Sequence, residues 1–264
     1  AGTFCAVCLR THRDENGDLD YARRVRRPAA RESAMVDALI FDLDDTLCPE
    51  RPFVLARLEA VARHLRERYG PRIDFRAELV RCWEADLRTN VFDTVLARAG
   101  LEPDPDVIRE LVDLYRGTPV EVEPYPDAVP ALEFWSGRLP LGLVTDGYGP
   151  TQREKVAALG IGPYFRAIVY THDLGPESIK PSEVPFRHVR EAIGFAGPAV
   201  YVGDHPRLDF PAPKRLGWVT VRTARPGAKF ARAKADAASR PDHLIQSLEQ
   251  LRTIPCLAQH LEQG

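Results

Sequence analysis

Two aspartates, Asp42 and Asp44, stand two residues apart at the end of an apolar run, Ala38-Leu39-Ile40-Phe41. Like carboxylates repel and lose solvation when a core closes around them, so such a pair persists where a cation or a reaction uses it. An Asp-rich turn capping the next helix is the plain alternative, because Asp and Thr both favour such positions. Three further segments weigh against it: Thr145-Asp146-Gly147, Lys180-Pro181-Ser182, and Gly203-Asp204 with Asp209. Carboxylates without histidine or cysteine at the strand ends suggest a hard cation, magnesium before zinc. Thr145 offers a hydroxyl and nearby backbone N–H groups, and Lys180 a positive point charge, which together suit a phosphate. An acidic metal site beside a cationic phosphate cradle is suited to phosphoryl transfer.

These residues must be brought together by the elements that carry them. Ala38 to Phe41 has the length and apolar character of a buried parallel strand. Cys48-Pro49-Glu50-Arg51-Pro52 then breaks the chain, and helical stripes follow: Val54/Leu58/Val61/Leu65, Phe75/Leu79/Trp83, Val91/Val95 with Phe92/Leu96, and Ile108/Leu111/Tyr115. They predict about four helices with no strand between. Beyond Gly117 the chain alternates: a helix from Pro126-Asp127 to Trp135, a strand over 139–144, a helix over 152–159 and a strand over 167–169. A helix over 186–193, strands over 199–202 and 219–221, and a last helix from Leu244 to Leu251 complete it. The Ala-, Arg- and Lys-rich composition of Ala224 to Ala238 predicts a mobile surface segment. Strands separated by single helices imply an α/β fold: a three-layer, parallel, Rossmann-like sheet core with an inserted all-α domain. The expected division is an N-terminal extension at 1–34, the core at 35–48 and 119–264, and the helical insertion at 49–118. Ligands of open parallel sheets bind beyond the carboxyl ends of the strands. Asp42, Asp44, Thr145 and Asp204 therefore belong on one edge.

At this point the chain resembles the haloacid dehalogenase-like hydrolase superfamily, whose four motifs match in order. They are Asp42-Leu43-Asp44-Asp45-Thr46, Thr145, Lys180-Pro181, and Gly203-Asp204 with Asp209. The resemblance spans Val36 to about Leu251, and the helical insertion looks like that superfamily's first type of cap. It implies that Asp42 is a nucleophile forming an aspartyl-phosphate, and that Asp44 is the general acid and then the general base. It also implies that Mg²⁺ is held by the Asp42 and Asp204 side chains and the Asp44 carbonyl. Asp209 would orient ligands around it, while Thr145, Asp146 and Lys180 would hold the phosphoryl group. The departures are Asp146, where asparagine is frequent, a long Gly175-to-Lys180 spacing, and Phe210-Pro211-Ala212-Pro213 after motif four. None removes a catalytic group. The implied activity is hydrolysis of a small, soluble phosphate monoester. Dehalogenases are disfavoured because they lack the acid two positions after the nucleophile. A phosphomutase, or a non-catalytic phosphate-binding or regulatory protein, is the alternative. Arg88 and Asn90, between two predicted helices of the insertion, are candidates for substrate contact. His172 and His205 fit exposed loop positions without a role.

Composition narrows the rest. A net charge of −2 and 28% charged residues give no general case for nucleic acid, although five arginines lie between Arg23 and Arg31 without an acid. No apolar stretch approaches a bilayer span, so no membrane partner is expected. Five scattered cysteines make no disulfide framework and point to a reducing cytoplasm. Cys5-x-x-Cys8 with His12 lacks a fourth zinc ligand. Asp14, Asn16 and Asp18 open a calcium-like loop, but Leu19 stands where the turn needs glycine. Met35, the only methionine, could begin the enzyme proper. Basic residues are nearly all arginine; the five lysines are Lys155, Lys180, Lys214, Lys229 and Lys234. In such a chain a lysine more often stands where arginine would not serve. The sequence gives no oligomeric state.

Overall fold

The computed structural model describes residues 35–261. The Cys5/Cys8/His12 group, the calcium-like loop, the arginine run and the rest of the 1–34 extension lie outside the described residues. Six strands form one sheet: β1 (Ala38–Phe41), β2 (Leu141–Thr145), β3 (Ala167–Tyr170), β4 (Ala199–Gly203), β5 (Val219–Thr223) and β6 (His243–Ile245). Their order is β3-β2-β1-β4-β5-β6, and every neighbouring pair is parallel. β1 is central and wholly buried, which is why its sequence is continuously apolar rather than alternating.

The two faces of β1 feed different cores. Leu39 and Phe41 join Leu143, Val202 and Trp135 on one side, where helix α5 (Ala128–Ser136) packs. Ala38 and Ile40 join Phe186, Val189 and Trp218 on the other, covered by helix α7 (Val184–Ile193). Full burial of a side chain the size of Phe41 contributes roughly 1.5–3 kcal/mol. Gly142 on β2 permits that second face to close. A Cβ there would stand 2.8 Å from Ile40 Cδ1 and from Val189 Cγ2.

Between β1 and α5 run four helices: α1 (Glu50–Tyr69), α2 (Phe75–Glu84), α3 (Val91–Arg98) and α4 (Pro105–Gly117). They bury a cluster of their own around Leu58, Val61, Leu65, Phe75, Leu79, Val95 and Leu111. Their starts are encoded locally. Asp74 accepts a 3.0 Å hydrogen bond from Ala77 N, and Asp104 a 2.8 Å bond from Asp106 N with Pro105 in the first turn. After β2 comes α6 (Gly149–Ala158), and after β4 the short α8 (Pro211–Arg215). No helix among the described residues is long and apolar enough to cross a membrane.

Two expectations fail. The helix expected over Leu244 to Leu251 is instead β6 followed by a 3₁₀ turn over Leu248–Thr253. Leu244, Leu248 and Leu251 have helical spacing, but Leu244 is 64% exposed while Ile245, Leu248 and Leu251 are buried. The exposed edge of β5 captures this stretch, pairing Arg222 with Leu244, and Ser247 and Gln250 form a capping box for the turn.

The segment expected to be mobile is pinned. Buried Arg225 donates from Nε and Nη2 to Thr46 O at 3.1 and 2.9 Å, and from Nη1 to Asp127 Oδ2 at 3.1 Å. Asp127 Oδ2 also accepts from Leu248 N at 2.7 Å. Burial pushes the Asp127 carboxyl up, but Arg225 and the Leu248 N–H outweigh it and hold it below the usual range. A depressed carboxyl adds stability above its unfolded value of about 3.9 and loses it as pH falls through the folded value. Asp127→Asn is therefore expected to lower unfolding free energy by about 2–4 kcal/mol at neutral pH, since Arg225 is left buried without its carboxylate. The deficit should close as pH falls below about 4. Urea unfolding of both proteins at pH 7 and pH 3 measures it; an unchanged gap at pH 3 would reject the ion pair as the cause.

Candidate active site

The carboxyl ends of the central strands converge. Asp42 follows β1 directly, and its N–H is bonded to Val202 O at 2.8 Å, carrying the β1–β4 pairing one residue further. Thr145 ends β2, Asp204 follows β4, and Lys180 is brought in by the loop after β3. Lys180 is 5% exposed. Its Nζ donates to Asp42 Oδ1 at 2.6 Å, Asp209 Oδ1 at 2.8 Å and the Tyr201 hydroxyl at 3.2 Å. Carboxylate oxygens of Asp42, Asp204 and Asp209 all lie within 4.8 Å of one another.

Two of these three buried carboxylates, Asp42 and Asp209, thus share one ammonium. Burial alone would discharge Lys180, but Asp209 and Asp42 outweigh it and hold it firmly protonated. Asp209 gains most from the arrangement. Besides Lys180 it accepts from the Tyr201 hydroxyl at 3.0 Å and from His205 N at 2.8 Å, so its carboxyl sits below the usual range although burial opposes this. Asp204 makes no side-chain hydrogen bond or ion pair with another described residue. Burial, then the charges of Asp209 and Asp42, push its carboxyl well up. Asp42 is also raised, by burial first, with Lys180 opposing. Gly203 allows this crowding, because a Cβ there would meet Asp209 Cγ at 2.6 Å.

Asp44 belongs to a second unit. Its Oδ1 accepts from Lys155 Nζ at 2.6 Å and its Oδ2 from Gln152 Nε2 at 2.9 Å. The same Gln152 amide donates to Thr145 Oγ1 at 2.7 Å. Asp44 and Thr145 are therefore held by one side chain of α6. Asp146 Oδ1 accepts from Thr171 Oγ1 at 2.8 Å and Lys180 N at 3.3 Å, so its carboxylate ties β2 to the lysine loop. Asp45 shapes the turn between Asp44 and α1. It occupies the left-handed region at φ 52, which Asp tolerates better than most residues. Its carboxylate accepts from Glu50 N at 2.9 Å and Lys229 N at 3.2 Å.

The sequence profile of the haloacid dehalogenase-like hydrolases matches residues 36–217, well over half of the chain. The chain belongs to that family. A glyceraldehyde 3-phosphate phosphatase of Methanocaldococcus jannaschii is 32% identical over 227 residues, covering 82% of this chain and 96% of that protein. A phosphoglycolate phosphatase of Neisseria meningitidis is 30% identical over 227 residues, covering 82% and 92%. The crystal structure of a 2-haloacid dehalogenase from Pseudomonas syringae superposes with a TM-score of 0.59 at 27% identity, covering 85% of this chain and 99% of that one.

Several residues of this haloacid dehalogenase-like site escape a reading of motifs. Gln152 and Lys155 lie three apart on α6, where polar residues look like a solvated face; both are buried. Tyr201 reads as core and is core, but its hydroxyl bonds Lys180 and Asp209. His205 is not exposed: it is 5% accessible and stacks on Phe230 at 4.0 Å between ring centroids. His172 is half-exposed and meets Tyr148 edge-on. Arg88 lies 3.5 Å from Asp86 Oδ1. Asn90, at φ 54, precedes α3 and accepts from Thr94 Oγ1 through its carbonyl at 2.8 Å, a turn position.

Proposed function

We propose that this hydrolase is a Mg²⁺-dependent phosphatase of small phosphate monoesters, working through an aspartyl-phosphate on Asp42. The observation that carries the reading is the 2.6 Å contact of Lys180 Nζ with Asp42 Oδ1 across 138 positions of sequence. It sets a cation at the oxygen that would attack phosphorus. Asp42 attacks the phosphoryl group and the ester oxygen departs, taking a proton from Asp44. Asp44 then removes a proton from water as that water attacks phosphorus, releasing phosphate and restoring Asp42. Lys180 and Thr145 hold the phosphoryl oxygens. Asp146 serves the phosphate site by fixing the Lys180 loop, and Asp209 by fixing Lys180 and the His205 backbone.

The donor set suits magnesium. Asp42, Asp204 and the Asp44 carbonyl offer only oxygen, and the clustered Asp42, Asp204 and Asp209 carboxylates outnumber the one ammonium, Lys180, that touches two of them. When bound, Mg²⁺ supplies positive charge against the phosphate and the nucleophile. The four-helix segment at 49–118 acts as a cap. Its α1 reaches the core through Arg57, which donates to Thr151 Oγ1 at 3.2 Å, and through Phe53 against Lys155 Nζ at 4.0 Å. The relatives named as phosphatases of glyceraldehyde 3-phosphate and phosphoglycolate support small, three- and two-carbon esters. Asp44 supports hydrolysis of a phosphate rather than a halide, because an alkoxide leaving group needs a proton donor.

The reading is tested by phosphate release from a panel of small monoesters with Mg²⁺ and with EDTA, alongside thermal unfolding. Mg²⁺ should be required for turnover and should raise the unfolding midpoint, since it binds only the folded site. Full turnover in EDTA, or none from any ester, would overturn it.

A further inference from the structure

At the rim of the site one carboxylate is surrounded by cations. Asp86, in the loop between α2 and α3, receives Lys229 Nζ at 3.0 Å and Arg88 Nε at 3.5 Å on Oδ1. On Oδ2 it receives Arg207 Nη2 at 3.1 Å, with His205 Nε2 at 3.4 Å. Setting the His205 ring aside leaves the arginine and lysine side chains. Arg88, Arg207 and Lys229 remain, three cations to one anion. No other carboxylate pairs with Arg88 or Arg207 among the described residues. Glu50 lies within electrostatic reach of Lys229, which offsets part of Lys229 and leaves the two arginines. The excess faces solvent, since Arg88 and Arg207 are about half and two-thirds exposed.

The cluster is joined to the catalytic set. His205 follows Asp204 and donates its N–H to Asp209. The Lys229 N–H is bonded to Asp45, beside Asp44. Lys229 itself runs between the rings of Trp83 and Phe230, 5.0 and 4.8 Å from their centroids, which fixes a normally flexible ammonium. Asp86 reaches the cluster from an uncommon backbone conformation, φ 58. A carboxylate of the protein already occupies the place, so the donors are spaced to accept one.

We propose that this rim is a subsite for a second anionic group on the substrate. The leaving group of the ester carries a carboxylate or a further phosphate, which Arg88, Arg207 and Lys229 take over from Asp86. The inference rests on the phosphatase reading above and narrows it. It places esters with a charged tail ahead of neutral ones such as an aldehyde phosphate.

Two matched pairs test it through the ratio of kcat/KM within each pair. They are 3-phosphoglycerate against glycerol 3-phosphate, and propane-1,3-diol bisphosphate against 3-hydroxypropyl phosphate. The charged member should be preferred at least tenfold in one pair, and the pair that shows it identifies carboxylate or phosphate. Arg207→Ala and Lys229→Met should each cut that ratio several-fold, and Asp86→Asn should raise it by freeing the cations. Turnover of the neutral esters with ratios near one in both pairs would overturn the subsite while the phosphatase reading stands. A preference unmoved by either cation variant would also overturn it. No turnover of any ester would remove both.

Discussion

Asp42→Asn is expected to lower phosphate release by about 10⁴-fold or more, the scale seen when a nucleophile that acts as part of a unit is removed. Its unfolding midpoint should be no lower than that of the unchanged protein. The two outcomes together make the test specific. Asn keeps an oxygen that can accept from Lys180, so the 2.6 Å contact has a substitute. Of the three clustered carboxylates only Asp204 and Asp209 remain, which relieves part of the repulsion that, after burial, raises Asp204. An inactive but equally stable protein assigns the loss to chemistry. Acid-quenched enzyme turning over a good ester should also carry one phosphoryl group on the peptide holding Asp42, and the variant none. Undiminished turnover by the variant would remove Asp42 from the reaction.

Lys180→Met is expected to damage both properties. Removing one partner of a buried ion pair costs about 3–5 kcal/mol, because the remaining charges stay buried without compensation. At roughly 2–4 °C per kcal/mol for a chain of this size, the midpoint should fall by about 6–20 °C. Turnover should fall with it even at temperatures where the variant is folded, since the cation at the Asp42 oxygen is gone. Mg²⁺ should raise the midpoint of this variant more than that of the unchanged protein, because it then supplies the only strong positive charge among Asp42, Asp204 and Asp209. Thermal scans with and without Mg²⁺ decide this. Equal Mg²⁺ shifts would show that the metal and Lys180 act on separate charges.

The contrast between Lys180 and Lys155 shows what a sequence can reveal. Asp42 and Asp204 are conspicuous because charged residues at the ends of apolar strands need a reason, and Lys180 because it completes a set of motifs with them. Lys155 sits in an ordinary helix, and nothing in its neighbours says that it points at Asp44. The one hint is the scarcity of lysine: of five in the chain, Lys155, Lys180 and Lys229 all touch carboxylates of the site or its rim. Gln152 leaves no such trace, since its importance lies in reaching Thr145 and Asp44 at once. His205 resembles a spare loop histidine until Phe230 is placed over it by a segment with an unremarkable composition. The parallel sheet was legible from strand–helix alternation. β6 was not, because a three-residue edge strand and a short turn can imitate the spacing of a helix.

The Lys180–Asp42 contact has a kinetic corollary. It closes over 138 residues, and Lys155 reaches Asp44 over 111. Such distant pairings form late, because the loop entropy must be lost before the contact repays it. Secondary structure and collapse can therefore precede any catalytic competence. The β1–β4 pairing of Ala38 with Ala199 spans still more of the sequence, so the central sheet and the site close together, and a chain without its sheet has no catalytic set.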